Sequence, residues 1–392
     1  MAEAIDEWHQ WFDKVRAETP VWFDEGSRSF ILTRMADARA WLSDPEQWRD
    51  ADLAEEGALV RTFKPSDTKR PDDRNSGLGW KDGPDHARVR APIQAALVRR
   101  VSAMRADIEA IVHDQVSRLS AGGFDVVADY ALPIPVRVIG HLFGVDTADI
   151  DRFRIWSERA LAIFNPETAA EERAANKAAM EAFCDYIDAA MAERRARSRD
   201  DLISDLLDAQ TKTGQLSDSE IRIGCLDLIL GGNVTTADLI ASGVMLLLRH
   251  PAELAKLRAD PALIGAAVEE ILRYEPPTQG TQRIASRDLE LGPCPVRAHQ
   301  VAAVMTAAAN RDPAAFTDPH RFDISRREAP HISFGAGAHI CVGAPLARLE
   351  ARTAIWGLVE RFPNLTLADP APSEWRPSGA PFHGLVRLPV RT

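Results

Sequence analysis

Phe334-Gly335-Ala336-Gly337-Ala338-His339-Ile340-Cys341-Val342-Gly343 decides how this chain is read, because it sets one cysteine in a glycine-rich loop directly before a long amphipathic pattern, Ala344–Phe362. The glycines let the backbone take conformations that other residues resist and let it come close to something flat. Successive N–H groups and the start of a helix can stabilise negative sulfur at Cys341. The loop therefore offers one anionic ligand, and a lone protein thiolate is one of the few ways to hold haem iron. Zinc is the competing metal, but it needs three or four close ligands, and His339 with Cys341 supplies two. A buried cysteine in a turn is the third reading these residues leave open.

At 392 residues with 45% apolar side chains, the chain can bury a large core. Met1–Glu18 carries Glu, Asp, His and Lys among its apolar residues, so neither a signal peptide nor a membrane anchor is expected there. The longest apolar helical pattern, Ile221–Leu248, is interrupted by Asp227, Asn233 and Asp238, which a lipid-spanning helix would not readily hold. A soluble, cytoplasmic protein with no membrane partner is the expectation. Cys184, Cys225, Cys294 and Cys341 lack the spacing of a disulfide framework or a paired metal motif, which fits a reducing compartment. The formal net charge of −11 argues against general nucleic-acid binding. Arg88, Arg90, Arg99, Arg100 and Arg105 nevertheless make one segment locally basic.

Along the chain, apolar runs at Val21–Asp24 and Phe30–Thr33 flank Glu25-Gly26-Ser27 as a hairpin, with a helical pattern at Ala36–Leu42. Arg61–Pro84 is a long polar loop. Helical periodicity dominates from Asp85 to Arg197, with breaks at Ser120–Gly123, Asp146–Asp149 and Asn165–Glu167. One long helix is predicted over Leu216–His250, closed by Pro251, and another over Pro261–Tyr274. Strand-like Val301–Met305 and Leu385–Val390, a proline-rich meander Asn310–Pro330 and a last long helix complete a mostly α chain.

Three further patterns carry chemistry. Glu270-Ile271-Leu272-Arg273 puts an acid and a base on one helix face, an arrangement that is commonly a solvated pair. His86 and Arg90 project together from another helix. Gly231-Gly232-Asn233-Val234-Thr235-Thr236 weakens the middle of the long helix, allowing a bulge or close approach of a ligand, or alternatively tight helix packing.

As an ordered set these motifs resemble the cytochrome P-450 superfamily. The cysteine loop matches at every fixed position (Phe, Gly, x, Gly, x, His, x, Cys, x, Gly), and His383-Gly384-Leu385 matches near the end of the chain. The resemblance implies a mostly α haem-thiolate fold with a long central helix and a minor β region, formed as a single domain over residues 1–392. It implies heme b (iron protoporphyrin IX), with Cys341 as the proximal iron ligand in the loop framed by Phe334 and Gly343. By the same resemblance His86, Arg90, Arg283 and His339 reach the propionates, while Glu270, Arg273 and Arg321 form a buried cluster that supports the loop. Gly231–Thr236 corresponds to the segment over the distal face, where the family's threonine and acid deliver protons to dioxygen. Here Val234 stands at the acid position, which leaves Thr235, Thr236, Asn233 or water as the route, with Asp227 and Asp238 as further candidates.

The implied activity is insertion of one oxygen atom from O2 into a small or medium apolar substrate. The chain has no flavin or nicotinamide fingerprint, so a ferredoxin-type donor is expected as partner. Arg88, Arg99, Arg100, Arg105 and Arg348 are candidates for its docking face. Substrate contacts are expected from Asn75–Trp80, Leu230, Gly231, Val234, Thr278–Thr281 and Pro381–His383, with Trp80, Phe164 and Phe382 as apolar walls. Val234 keeps two other readings open: the branch of the family that reduces nitric oxide directly with NADH, and a haem sensor without catalysis.

Overall fold

The computed structural model describes residues 2–62, 70–73, 77–145, 149–161, 169–328, 330–368, 374–376 and 382–392. The chain begins with α1 (Ala2–Glu18), the hairpin β1 (Val21–Asp24) and β2 (Ser29–Leu32), and α2 (Met35–Ser43). An irregular stretch with single 3-10 turns, one of them Leu78–Trp80, leads to α3 (Gly83–Ala103) and α4 (Arg105–Ser117). Then come β3 (Phe124–Asp125), a π-helical turn at Val126–Ala131, α5 (Pro133–Leu142), α6 (Ile150–Leu161), α7 (Ala170–Ala196) and α8 (Leu202–Thr213). The central pair α9 (Asp218–Gly232) and α10 (Val234–Arg249) is followed by α11 (Pro251–Ala259) and α12 (Ile264–Tyr274). Strands β4 (Gly280–Ile284), β5 (Leu289–Leu291), β6 (Cys294–Val296) and β7 (Val301–Met305) precede the short α13 (Thr306–Ala309). The meander and the cysteine loop lead into α14 (Ala344–Arg361), and β8 (Thr366–Leu367), β9 (Glu374–Trp375), β10 (Leu385–Arg387) and β11 (Pro389–Arg391) finish the chain.

The main sheet has the order β1-β2-β7-β4. Its β7 runs parallel to β2, with Ser29 opposite Val301, and antiparallel to β4, with Arg283 opposite Ala302. The hairpin therefore sits where the sequence places it, although its parallel partner lies far along the chain. The single long helix expected over Leu216–His250 is instead two helices meeting at Asn233. Paired glycines weaken the backbone there, and the Thr235 hydroxyl donates to the Gly231 carbonyl, occupying the acceptor of the turn below. Pro251 does not only close that run; it opens α11 as an N1 proline. Helix α9 starts one residue after Ser217, whose side chain and that of Glu220 form a capping box.

Helices α10, α12 and α14 pack around a shared apolar core that includes Ile240, Val244, Ile271, Leu272, Ile355 and Leu358. Gly243 permits this approach, since a Cβ there would lie 2.6 Å from Ile355 and 2.9 Å from Ile271. The run Asp218–Arg249 is long and apolar enough to cross a membrane by length and composition, but 67% of its most apolar window is buried inside the protein. Its hydropathy is that of a core helix.

The Glu270 and Arg273 pair on α12 is not a solvated pair. Both side chains are 2% exposed and meet in two 2.7 Å bonds. Arg273 also donates to the carbonyls of Asn310 (3.0 Å), Pro319 (2.8 Å) and Arg321 (3.2 Å). Asn310 then accepts from Ile332 N at 3.0 Å and donates to Ser333 Oγ at 2.8 Å, so the network ends immediately before the cysteine loop. One partner differs from expectation: Arg321 contributes only its carbonyl, its side chain being 62% exposed. The guanidinium that reaches Glu270, at 3.3 Å, belongs to Arg326. Five residues further along the meander, Arg326 can fold back under Glu270, whereas Arg321 points outward to Asp323 at 3.7 Å.

Glu270→Ala would strand Arg273 in the interior, and a loss of roughly 3–5 kcal/mol is expected in denaturant unfolding, against under about 1 kcal/mol for Arg321→Ala. Equal losses for the two variants would contradict this network. His9 on α1 is buried, and burial followed by the charge of Arg311 pushes its imidazole down to about 3. The unfolded chain then takes up a proton below pH 6.5 that the folded chain refuses. Stability should fall as pH drops through that window, by roughly 3 kcal/mol at pH 4 from this group. His9→Gln should flatten the acid limb of a stability-against-pH curve, and an unchanged limb would refute the assignment.

Candidate functional site

The cysteine loop is shaped by backbone constraint. Gly337 has φ +71°, and a Cβ there would lie 2.5 Å from the Leu42 carbonyl oxygen at the end of α2, so only glycine fits. Cys341 N donates to the Phe334 carbonyl at 2.8 Å, closing the loop on itself. Burial raises the Cys341 thiol, while the N–H groups of Gly343 and Ala344 and the charges of Arg90 and Arg348 act the other way and favour thiolate. Cys341 is exposed, whereas Cys184 and Cys225 are buried. The buried thiols differ: burial first, then the charge of Asp73, pushes Cys184 up to about 12. Phe334 lies under the Arg348 guanidinium at 4.5 Å, and Arg348 grips Glu269 of α12 through bonds of 2.7 and 2.8 Å. That clamp, which the sequence reading missed, fixes the start of α14 against the network below.

Above the loop lies a cationic cradle. His86 on α3 is buried, its ring 4.0 Å from that of His339, and its Nε2 has no hydrogen-bond partner. Burial, then the neighbouring His339, pushes the His86 imidazole down to about 4. His339 Nε2 lies 3.3 Å from Asp82 Oδ1, an oxygen that also accepts from Arg49 N at 2.9 Å. Arg90 Nη2 donates to the Ile340 carbonyl at 2.7 Å, bringing α3 onto the cysteine loop. Arg283, 2% exposed on β4, makes only a 2.9 Å bond to the Gln282 carbonyl, and burial with the nearby Arg49 charge pushes it down to about 8.

Among the described residues, Arg49, Arg90 and Arg283 have no carboxylate within ion-pair distance. A buried guanidinium without an acid is costly by several kcal/mol, so this donor set fits a ligand that brings its own carboxylates. A cysteine below, glycine-flattened backbone and cations without acid partners above would suit iron protoporphyrin, whose iron Cys341 would hold and whose two propionates the cations would bind. Arg49 gave no signal in the sequence, since it stands in an irregular stretch without a motif.

The distal candidates separate. Gly231 is exposed and Thr235 half-buried, while Asn233, Val234 and Thr236 are buried. Asp238 pairs with Arg376 and burial pushes its carboxyl up to about 7. Asp227 is likewise raised to about 7 by burial, and its Oδ2 accepts from Leu78 N at 2.9 Å. Of the substrate candidates, Thr278 bridges Phe382, and Thr281 Oγ1 accepts from Arg49 Nη1 at 3.1 Å, with that guanidinium 5.9 Å from the Trp80 ring. Leu230 is half-buried at the end of α9. Asn75, Ser76, Phe164 and Pro381 lie outside the described residues. On the basic segment, Arg88 is taken up by Asp85 and Glu220, Arg100 by Asp200 and Asp205, and Arg348 by Glu269. Arg99, 65% exposed although paired with Asp205, and the exposed Arg105 are what that surface still presents.

A sequence model described as Cytochrome P450 matches residues 124–380. The 6-deoxyerythronolide B hydroxylase of Saccharopolyspora erythraea is 37% identical, the match covering 98% of this chain and 96% of that protein. The crystal structure of P450BioI in complex with a hexadec-9Z-enoic acid ligated acyl carrier protein superposes with a TM-score of 0.88 at 31% identity, covering 100% of both chains. A myxobacterial cytochrome P450 in complex with myristic acid gives a TM-score of 0.88 at 35% identity, covering 98% of this chain and 96% of that one. With the thiolate loop, the buried acid and base pair and the cationic cradle all in place, this chain belongs to the cytochrome P450 family.

Proposed function

We propose that this P450 monooxygenase inserts one oxygen atom from O2 into a small or medium apolar substrate, with electrons from an external ferredoxin and reductase. The observation that carries this reading is Cys341, held by its own loop amides at the floor of a recess whose upper wall is lined by cations without acids. Heme b, the family's cofactor, supplies dioxygen activation and the one-electron steps when bound, and thiolate donation favours O–O cleavage. In this reading Cys341 holds the iron, with Phe334 and Gly343 framing the loop, while Arg90, Arg283, His86 and His339 hold the propionates.

Thr235 is the proton-handling residue best placed for the role. It is half-buried at the helix break, and its hydroxyl is oriented by the Gly231 carbonyl. Val234 cannot relay a proton, and Asn233 and Thr236 are buried, so water held at Thr235 is the proposed route. Trp80, Leu230, Gly231, Val234, Thr278 and Phe382 are the proposed substrate contacts. Their apolar character agrees with the fatty-acyl ligands carried by the two solved relatives. The proposed cellular setting is the cytoplasm, with residues 1–392 forming one haem domain. Arg99 and Arg105, with exposed Val98 beside them, are the proposed core of the ferredoxin-docking face. A second reading, direct reduction of nitric oxide by NADH, is favoured only by Val234 at the acid position.

With ferredoxin, ferredoxin reductase, NADPH and 18O2, an apolar substrate found by its Soret shift should yield product carrying one 18O atom. Rapid consumption of nitric oxide with NADH and no carrier protein would favour the second reading instead. Reversing charge at Arg99 and Arg105 together should slow the first electron transfer about tenfold while leaving substrate binding unchanged. Unaltered transfer kinetics would exclude that face.

A further inference from the structure

The short turn Leu78–Trp80 is gripped from two sides, by Asp227, which the proposed chemistry does not use, and by Arg49 of the cationic cradle. From α9, Asp227 Oδ2 accepts from Leu78 N at 2.9 Å, and its carboxylate also takes the N–H of Gly79. From the opposite side, Arg49 Nε donates to the Gly79 carbonyl at 3.2 Å. A carboxylate and a guanidinium thus hold the two peptide groups of a single glycine. Arg49 extends the grip to β4 through Thr281 Oγ1 at 3.1 Å, and its own backbone N–H donates to Asp82, the acid that faces His339.

Both side chains are half-buried. Asp227 lies on α9, five residues before the helix ends at Gly232 and the break at Asn233. The turn it holds carries Trp80, whose ring lies 5.9 Å from the Arg49 guanidinium. Enclosing a carboxylate and a guanidinium that do not contact each other is unfavourable unless each is hydrogen-bonded, and here each spends bonds on the backbone of Leu78-Gly79.

We propose that Asp227 and Arg49 form a clasp that fixes the Leu78–Trp80 turn against α9 and β4, making both positioning residues that set how large a ligand can enter the distal recess. This rests on the monooxygenase reading of the site. The clasp acts on entry and exit, since opening it requires breaking both grips on Gly79, whereas a small ligand can pass with the turn in place.

The test uses the haem-loaded protein and stopped-flow absorbance with two iron-binding probes, imidazole and the bulkier 4-phenylimidazole. In Asp227→Leu, both the association and dissociation rates of 4-phenylimidazole should rise about tenfold, with imidazole rates little changed, and in Arg49→Gln, which also removes a cation from the cradle, the 4-phenylimidazole rates should rise by more than the imidazole rates. Asp227→Asn, which keeps an acceptor oxygen, should stay close to the parent protein and guards against misfolding of the leucine variant. Rates for 4-phenylimidazole at the parental value in both Asp227→Leu and Arg49→Gln would overturn the clasp. Equal acceleration of both probes would also overturn it, since that marks general loosening of the fold. The reduced carbon monoxide spectrum of the parent separates the two claims: a parent without the thiolate signature refutes the haem reading itself, while a normal parent with unaltered variants refutes only the clasp.

Discussion

A sulfur that must become anionic to hold iron is the constraint on which the rest of this structure depends. Burial is the largest influence on Cys341 and raises its thiol, as it does for Cys184 and Cys225. The opposing forces come from the N–H groups of Gly343 and Ala344 at the start of α14 and from the Arg90 and Arg348 charges. Those groups act over short distances, so the loop must be held in one conformation. Gly337 against the end of α2 holds it from one side, and the Glu269 and Arg348 clamp holds it from the other. Beneath both lies the Glu270 and Arg273 pair, wired through Asn310 to Ile332 and Ser333. The buried ion pair serves the loop's geometry more than net stability, since such pairs are often matched by apolar packing.

The cradle above the loop follows a complementary logic. Among the described residues, Arg283 and Arg90 have no acid partner and His86 Nε2 has no hydrogen-bond partner. A fold that left these groups so without a ligand would gain nothing from them. Their convergence on one recess is what makes a dicarboxylate porphyrin the matching occupant.

Local patterns made much of this legible in advance. The hairpin, α3, α12, α14 and the cysteine loop are written in turn residues and helical periodicity, and the motifs for the thiolate, the propionates and the buried pair sit on them. What sequence could not give was tertiary choice. Arg321 and Arg326 are equivalent as residue types on one meander, and only the path of the chain decides which of them folds under Glu270. The break at Asn233 was signalled by paired glycines, yet its outcome, two helices with the Thr235 hydroxyl turned onto Gly231, depends on packing with α5, where Gly232 faces Ile139. Arg49 and Asp227 were invisible as a pair because they meet only through the backbone of Gly79.

The most direct test of the account is the absorption spectrum of the purified, reduced protein with carbon monoxide, recorded beside Cys341→Ser. The account predicts a Soret band displaced to the long wavelength of thiolate-ligated iron in the parent and its loss in the variant. A band typical of histidine ligation in the parent, or a thiolate band that survives in Cys341→Ser, would contradict it.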